Sequence, residues 1–363
     1  GRSHAYGWQA EELVDKAREQ FARLIHADAK DVIFTSGATE SNNLAIKGIA
    51  YQYREKGNHI ITCVTEHKSV LTTCARLEKE GFEVDYLPVD RQGYLDLERL
   101  KKTIKGTTIL ASFMSANNEI GHIHPIAQIA QILKSKGVLF HCDATQGIGK
   151  IPIDVQEMGI DALSFSAHKL HGPKGSGALY LRSQNPRVKI KPLMDGGGQE
   201  HALRPGTLNV SGIVGLGAAC EIAHREMDWE VKRLYALRER LRVGICSQVD
   251  EATINGSMDD RLANNLNLSF AYVDADTLLS AVQEDVALSA GSSCTSASLE
   301  PSHVLKALGL PSDLAHGSIR FGLHRFNTEE EIDTVILCIV NAVKKLRSLS
   351  PLYIVKKEGI KIG

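Results

Sequence analysis

The sequence predicts an α/β protein with a large domain on a mostly parallel seven-stranded sheet and a smaller α+β domain after it. Three observations carry this reading. Short β-rich runs alternate with helical patterns over the first half of the chain. The run ahead of Asp143 is rich in Val, Leu and Phe, as expected of a strand buried on both faces. After the Gly-rich stretch 195–217 the alternation gives way to a long helical region, a few further strands and a closing helix.

Taken in order, Ala10, Leu13, Val14, Ala17, Phe21, Leu24 and Ile25 recur at helix spacing with charges between them, which predicts an amphipathic first helix. Strands are expected at 32–35, 59–64, 83–87, 107–113, 138–142, 161–165 and 178–182, with helices near 39–54, 68–80, 96–105 and 125–136. Such alternation predicts parallel strands joined by crossover helices. The helical region after 217 runs to about 248 and is rich in Glu, Arg and Leu. The division is placed within it, giving domains 1–228 and 229–363. In the second, Leu266, Leu268 and Phe270 alternate like a strand, 318–323 reads as another, and 328–349 as a long helix. Thr328 suits its N-cap and the three glutamates that follow suit its first turn.

Composition narrows the function classes. A chain of 363 residues, 43 % hydrophobic and 23 % charged, has ordinary globular make-up, which excludes a disordered or collagen-like protein. Lys and Arg total 42 against 43 Asp and Glu, so no basic excess points to nucleic acid or an anionic membrane. The longest apolar run, 335–340, falls far short of the roughly 18 residues that span a bilayer, and a soluble protein is expected. Seven cysteines without C-x-x-C or zinc-ribbon spacing fit a reducing compartment and no intrinsic metal site. No signal peptide is visible, and a helical pattern starts directly after Gly1-Arg2-Ser3-His4, so further residues upstream are expected.

Ligands of open α/β sheets bind at the carboxyl ends of the strands, and five segments lie there. Ser36-Gly-Ala-Thr-Glu40 opens a helix, where free N–H groups and the Thr39 hydroxyl suit a phosphate; a plain strand-to-helix turn is the simpler reading. His67 alone reads as a satisfied core or capping residue, and Asn117-Asn-Glu-Ile-Gly121 as a polar turn. Asp143 ends an apolar strand, where a carboxylate is costly unless a cation or strong donors meet it. Ser166-Ala-His-Lys169 runs into a Gly/Pro-rich loop, and a lysine facing a ligand crevice is a candidate Schiff-base nucleophile; alone it is also a solvated loop residue. Together, a phosphate-holding helix start, an aspartate for a ring nitrogen and a lysine for a covalent bond are the parts of a pyridoxal 5′-phosphate site.

At this point a resemblance is plain. Thr35-Ser-Gly-Ala-Thr-Glu-Ser-Asn-Asn43, Thr65-Glu-His67, Asn117-Asn-Glu-Ile-Gly121, Asp143-Ala-Thr-Gln146 and Ser166-Ala-His-Lys169 resemble the motif series of the cysteine desulfurases. So do Ser289-Ala-Gly-Ser-Ser-Cys294-Thr-Ser-Ala-Ser-Leu-Glu-Pro-Ser302 and Ser318-Ile-Arg320-Phe, in order over essentially the whole chain. The Ser-rich loop around Cys294 resembles group I, the IscS/NifS type, among the class V aminotransferase-like enzymes.

The resemblance implies fold type I of the pyridoxal phosphate enzymes, a homodimer, and conversion of L-cysteine to L-alanine. Cys294 is implied as the nucleophile that takes the sulfur as a persulfide. The sulfur would pass to an iron–sulfur scaffold protein and other acceptors, including those that lead to thiolated tRNA. By motif, Lys169 is implied as the cofactor lysine, Asp143 as the partner of the pyridine nitrogen and Gln146 of the ring hydroxyl. His67 would stack on the ring and help move protons. Ala38, Thr39, Ser166 and His168 would hold the phosphate, with Ala167 and Asn118 among the cofactor contacts. Thr207 would reach the phosphate of the partner subunit. Asn118 and Arg320 would hold the substrate carboxylate, a task that suits a guanidinium fork. Gly291, Ser292, Ser293, Ser296 and Ser298 are small and bury little, so a mobile loop is expected around Cys294, which would also serve as a transient [2Fe–2S] ligand with the scaffold. The implied location is the cytoplasm, or the mitochondrial matrix in a eukaryote. The resemblance also implies residues before Gly1 and a tail beyond Gly363.

The alternatives are a selenocysteine lyase or group II desulfurase, which carry a shorter segment around the active cysteine, and a catalytically silent paralogue that only binds partners. Intact Lys169, Asp143, His67 and Cys294 argue against the last. Lys344, Lys345, Arg347, Lys356, Lys357 and Lys361 read either as the landing site of an acidic partner or as a solvated helix face. His122 and His124 complete no metal set, and Gly196-Gly-Gly198 lacks the strand-and-helix setting of a dinucleotide fingerprint.

Overall fold

The alternating pattern becomes, in the computed structural model, which describes residues 3–290 and 301–357, a run of α1 (Ala5–Leu24), β1 (Val32–Thr35), α2 (Ala38–Tyr53), β2 (His59–Cys63), α3 (Lys68–Glu78) and β3 (Glu83–Leu87). There follow α4 (Leu97–Thr103), β4 (Thr108–Met114), α5 (Ile126–Ser135), β5 (Leu139–Asp143), β6 (Ala162–Ser166), β7 (Gly177–Leu181) and α6 (Val210–Cys246). The seven strands form one sheet in the order β1-β7-β6-β5-β4-β2-β3. Strands β3, β2, β4, β5 and β6 run parallel, while β7 is antiparallel to both β6 and β1. The short connection 167–176 explains the reversal, since a parallel return needs a crossover of a dozen or more residues.

Strands β4, β5 and β6 each end one residue later than their apolar runs predict. The ladder carries Asp143 and Ser166 inside it, opposite Ser164 and Gly177, because backbone pairing does not depend on an apolar side chain. Helix α2 lays Leu44, Ile46 and Ile49 against Ile33, Ile60, Leu110 and Leu179 of the sheet. Each such side chain contributes about 1.5–3 kcal/mol of burial. On α1 the buried face runs Val14, Ala17, Phe21, Leu24; Leu13, expected on that stripe, is 47 % exposed because the 3-4-3 spacing passes it by. Phe21 stacks on Phe165 of β6, ring centroids 5.5 Å apart. No described helix is long and apolar enough to cross a membrane.

By compactness the chain forms two units. The first runs to Pro88 and takes Leu95–Asn117 and Ile123–Met227; the second takes Val89–Tyr94, Asn118–His122 and the chain from Asp228 onward. Two short segments ahead of residue 228 therefore group with the second unit, and one of them carries Asn118. The second unit holds β8 (Ala252–Ile254), β9 (Asn265–Phe270), α7 (Ala275–Val282), β10 (Ser289–Ala290), α8 (His303–Ala307), α9 (Ser312–His316), β11 (Ser318–Gly322), α10 (Glu329–Ser348) and α11 (Pro351–Lys357). Its strands form an antiparallel sheet in the order β10-β11-β9-β8. Leu266, Leu268, Phe270, Ile319 and Phe321 pack with Ile332, Ile339 and Val343 of α10. Thr328 caps α10 in a full capping box with Glu331. The basic cluster is not one surface: Arg347 is buried, donating to Ala271 O at 3.0 Å and Asp250 O at 2.6 Å, and Lys356 pairs with Glu251.

Two expected outcomes follow from packing. A Cβ on Gly177 would lie 2.5 Å from Gly37 Cα and 2.6 Å from Phe165 O, both backbone atoms. Gly177→Ala is expected to lose roughly 1–3 kcal/mol of stability, read as a lower denaturant midpoint at unchanged slope. An unchanged midpoint would show that the strand yields freely. The second concerns pH. His141 is wholly buried, bonded to Ser112 Oγ (2.8 Å) and Ser164 Oγ (2.9 Å), and burial holds its pKa well below the ordinary 6.5. In the second unit burial lowers His122 from 6.5 to about 4. At these two histidines the unfolded chain takes up protons between about pH 4 and 6.5 that the folded chain refuses, so the stability they confer is expected to fall as pH drops through that window, against the opposite trend of the buried carboxyls of Glu66 and Asp161. Thermal midpoints across pH 4–8 for the chain and for His122→Asn check this: the fall below 6.5 should be shallower in the variant, and the same slope in both would refute it.

Candidate active site

Strand β5 ends on Asp143, which is 5 % exposed at the carboxyl edge of the sheet. Donors meet both its oxygens: Asn42 Nδ2 on α2 lies 2.7 Å from Oδ2, and Thr145 N lies 3.0 Å from Oδ1. That satisfies the condition for burying a carboxylate, and the oxygens keep lone pairs for a further donor. His67 follows β2 and is the N-cap of α3, its Nδ1 accepting from Ser69 N at 3.1 Å with Ser69 Oγ 2.8 Å away. It is thus a capping residue, as the plain reading had it, and remains a candidate site residue. Burial lowers its pKa; Asp143 raises it, and Lys169 and Lys68 lower it further. Beside it, Glu66 is fully buried, and burial raises its carboxyl pKa well above the ordinary range although Met114 N donates to Oε1 at 2.7 Å.

The start of α2 lies against the end of β6. Gly37 precedes the helix with φ 152° and no capping side chain, Ala38 N donates to Ser166 Oγ at 3.0 Å, and a Cβ on Gly37 would come within 3.0 Å of that oxygen. Glycine is required here because φ and the close approach both exclude a side chain. Thr39 is exposed and Ala38 half-buried. Arg204 braces this turn from a distant loop, Nε to Glu40 Oε1 at 2.8 Å, while Glu40 Oε2 accepts from Ser36 N at 2.7 Å. Burial raises the Glu40 pKa, but the Arg204 and Ser36 bonds bring it below the ordinary value.

Lys169 lies in the 3-10 turn Ala167–Leu170 that continues from β6. Ala167 is buried and its N donates to Ser176 O at 3.0 Å; Gly172 N returns to Ala167 O at 2.9 Å. The backbone is thereby held while His168 and Lys169 are exposed. Burial lowers the pKa of His168, helped by Lys169 and Lys174. Gln146 is half-buried with Lys150 Nζ 3.1 Å from its backbone oxygen, and Thr207 is exposed ahead of α6.

In the second unit, Arg320 on β11 donates from Nη1 to Asn118 O at 3.0 Å, so these two expected residues meet. Glu119 O accepts from Asn265 Nδ2 and Asn267 Nδ2, each at 3.1 Å, and its carboxylate takes the Ser302 hydroxyl. Cys294, with Gly291, Ser292, Ser293, Ser296 and Ser298, lies outside the described residues, as does Lys361. The motifs hold Asn42 and Glu66 without singling either out, Ser69 stands outside them, and Arg204 carried no assigned role. The available signal was an amide on the buried face of α2, where apolar residues otherwise recur.

A sheet edge that gathers an aspartate, a lysine turn and an uncapped helix start marks a class of enzymes, and comparison with known proteins names it. Residues 2–335 match the family model described as Aminotransferase class-V, and the chain belongs to that family. It is 56 % identical over 362 residues to the protein named Cysteine desulfurase IscS of Anaeromyxobacter sp. (strain K), covering 100 % of this chain and 89 % of the relative. It is 53 % identical over 361 residues to one named Cysteine desulfurase, mitochondrial, of Arabidopsis thaliana, covering 99 % of this chain and 79 % of the relative. Among solved structures, a NifS-like protein matches with a TM-score of 0.88 at 39 % identity, covering 94 % of this chain and 90 % of that one. SspA in complex with cysteine matches at 0.79 and 36 %, covering 90 % of each chain. Within the class-V family, this chain is one of the cysteine desulfurases of the IscS/NifS type.

Proposed function

We propose that the chain removes sulfur from L-cysteine, releasing L-alanine and leaving a persulfide on Cys294, with pyridoxal 5′-phosphate as its cofactor. The observation that carries this is the buried Asp143 carboxylate, joined through Asn42 and Ser69 to His67, in a chain so similar to named cysteine desulfurases. The residues present fit the cofactor. Gly37 leaves the start of α2 open beside Ser166, where a phosphate finds N–H groups, the Ser166 hydroxyl and the Thr39 side chain. Asp143 has lone pairs for a protonated ring nitrogen, and Lys169 stands on a braced turn. When bound, the cofactor supplies an electron sink for charge developing at the substrate α-carbon.

This chain's residues do the rest. His67, whose pKa burial lowers, serves proton movement at the site. Arg320, placed by Asn118 O, binds the substrate carboxylate. The Cys294 thiolate attacks the substrate γ-sulfur, the sulfur–Cβ bond breaks, Cys294 keeps the sulfur, and the three-carbon remainder takes up protons and leaves as alanine. Gln146, Ala38, Ala167 and His168 complete the cofactor contacts. A homodimer in which Thr207 reaches the partner's phosphate, an iron–sulfur scaffold protein and other sulfur acceptors as partners, transient sharing of a [2Fe–2S] cluster through Cys294, and a cytoplasmic location belong to the same reading.

Sulfide and alanine release from L-cysteine in the presence of reductant tests it; neither product from the yellow, cofactor-loaded protein overturns it. Asp143→Asn is expected to retain the cofactor yet turn over at least about 10²-fold more slowly, because a neutral partner no longer favours the protonated ring nitrogen. An unchanged kcat would make Asp143 a structural acid.

A further inference from the structure

We propose that Asn42 and Ser69 are positioning residues that fix His67 in the tautomer carrying its proton on Nε2, through the same amide that holds Asp143. The catalytic meaning of this rests on the roles given to His67 and Asp143 above. Asn42 Nδ2 has two hydrogens and two acceptors, Asp143 Oδ2 at 2.7 Å and Ser69 Oγ at 2.8 Å. Its Oδ1 has no hydrogen-bond partner among the described residues. Turning the amide over would set Oδ1 against the carboxylate, acceptor to acceptor, so the orientation follows from the neighbours. With Asn42 donating to it, the Ser69 hydroxyl has one hydrogen left, and His67 Nδ1 lies 2.8 Å away. Ser69 N, which can only donate, lies 3.1 Å from the same nitrogen. Two donors on Nδ1 leave its lone pair engaged, and the ring proton goes to Nε2.

Asn42 is fully buried and Ser69 is 6 % exposed, so the direction of the chain is not exchanged with solvent. The charged groups that act on His67 come from three elements: Asp143 on β5, Lys169 after β6 and Lys68 on α3. A proton on Nδ1 would oppose the Ser69 N–H, uncap α3 and force the Ser69 hydroxyl to turn from donor to acceptor. The arrangement therefore keeps Nε2 as the single nitrogen from which a proton moves, which is what a proton-transferring group in a crowded site requires.

The test uses the full chain labelled with 15N-histidine, its spectrum recorded without and with pyridoxal phosphate, and His67 assigned by the signal lost in His67→Gln. The expected result is an unprotonated Nδ1 and a protonated Nε2 for His67 in both states. Ser69→Ala is expected to shift the Nδ1 resonance and to lower kcat about threefold to tenfold with KM little changed. Asn42→Leu, which frees the hydroxyl to turn, moves the resonance the same way, and Ser69→Thr restores it. A protonated Nδ1 in the unmodified chain overturns the proposal, as does a His67 signal in Ser69→Ala identical to the original. Because the tautomer is read without substrate, it stands or falls apart from the desulfurase assignment, which product release decides.

Discussion

Lys169→Ala is expected to abolish alanine release from L-cysteine, remove the yellow colour of the loaded protein and leave the fold intact. The fold survives because the turn is held by its backbone, through Ala167 N to Ser176 O and Gly172 N to Ala167 O, and because Lys169 is exposed. Substitution of an exposed residue away from the core costs within about 0.5 kcal/mol. The chemistry does not survive, since a methyl group neither bonds a cofactor carbonyl nor carries a proton. A loss on the order of 10³-fold or more is expected from removing a nucleophile and base together. Circular dichroism and the denaturant midpoint check the fold, absorbance the cofactor and alanine the turnover. Alanine release at the original rate would sink the assignment of Lys169.

Cys294→Ser is expected to have an effect as large by a different route. Serine is nearly the size of cysteine but a poor nucleophile toward sulfur, and it cannot hold a persulfide. The variant should keep its colour and still change its spectrum when L-cysteine is added. It should release almost no alanine and gain no sulfur by intact mass. The other cysteines supply the controls. Burial pushes the Cys63 and Cys74 thiols up to about 12, and Cys142 and Cys220 are buried as well, so at neutral pH these four have almost no thiolate. Cys246 and Cys338 are only half-buried, which makes peptide mapping of the added sulfur the deciding measurement. Sulfur on either of them, with Cys294 unmodified, would show the mechanism to be wrong.

Much of the architecture was legible before any coordinates. Strand and helix periods differ, 2 against 3.6, and a chain that alternates them states its fold class locally. Likewise Thr328 with Glu331 announces a capping box in four residues, and the structure builds it. Asp143 was legible as a candidate because an ionic residue closing an apolar strand is anomalous wherever that strand is placed, and Lys169 because it follows such a strand within three residues. Two strands were not legible: β8 has three residues and β10 two, too few for a period to register. Leu13 was misplaced because a seven-residue apolar list does not say which neighbours belong to one face; the packing of Phe21 on Phe165 selects the Val14 side.

What the sequence by itself determined is the set of parts: the order of strands and helices, a carboxylate and an amine at strand ends, and a cysteine in a Ser-rich stretch. What only the tertiary structure decided is which parts share a partner. Asn42 and Asp143 are 101 residues apart and Asn42 and Ser69 27 apart, yet one amide serves both. Arg204 and Glu40, 164 apart, brace one turn, and Asn118 groups with Arg320, 202 apart, instead of with the strand that precedes it. Propensity and periodicity act over one or two turns of chain, whereas a hydrogen bond between buried side chains is fixed by where whole elements pack. That information becomes readable only when the sheet has set the elements side by side.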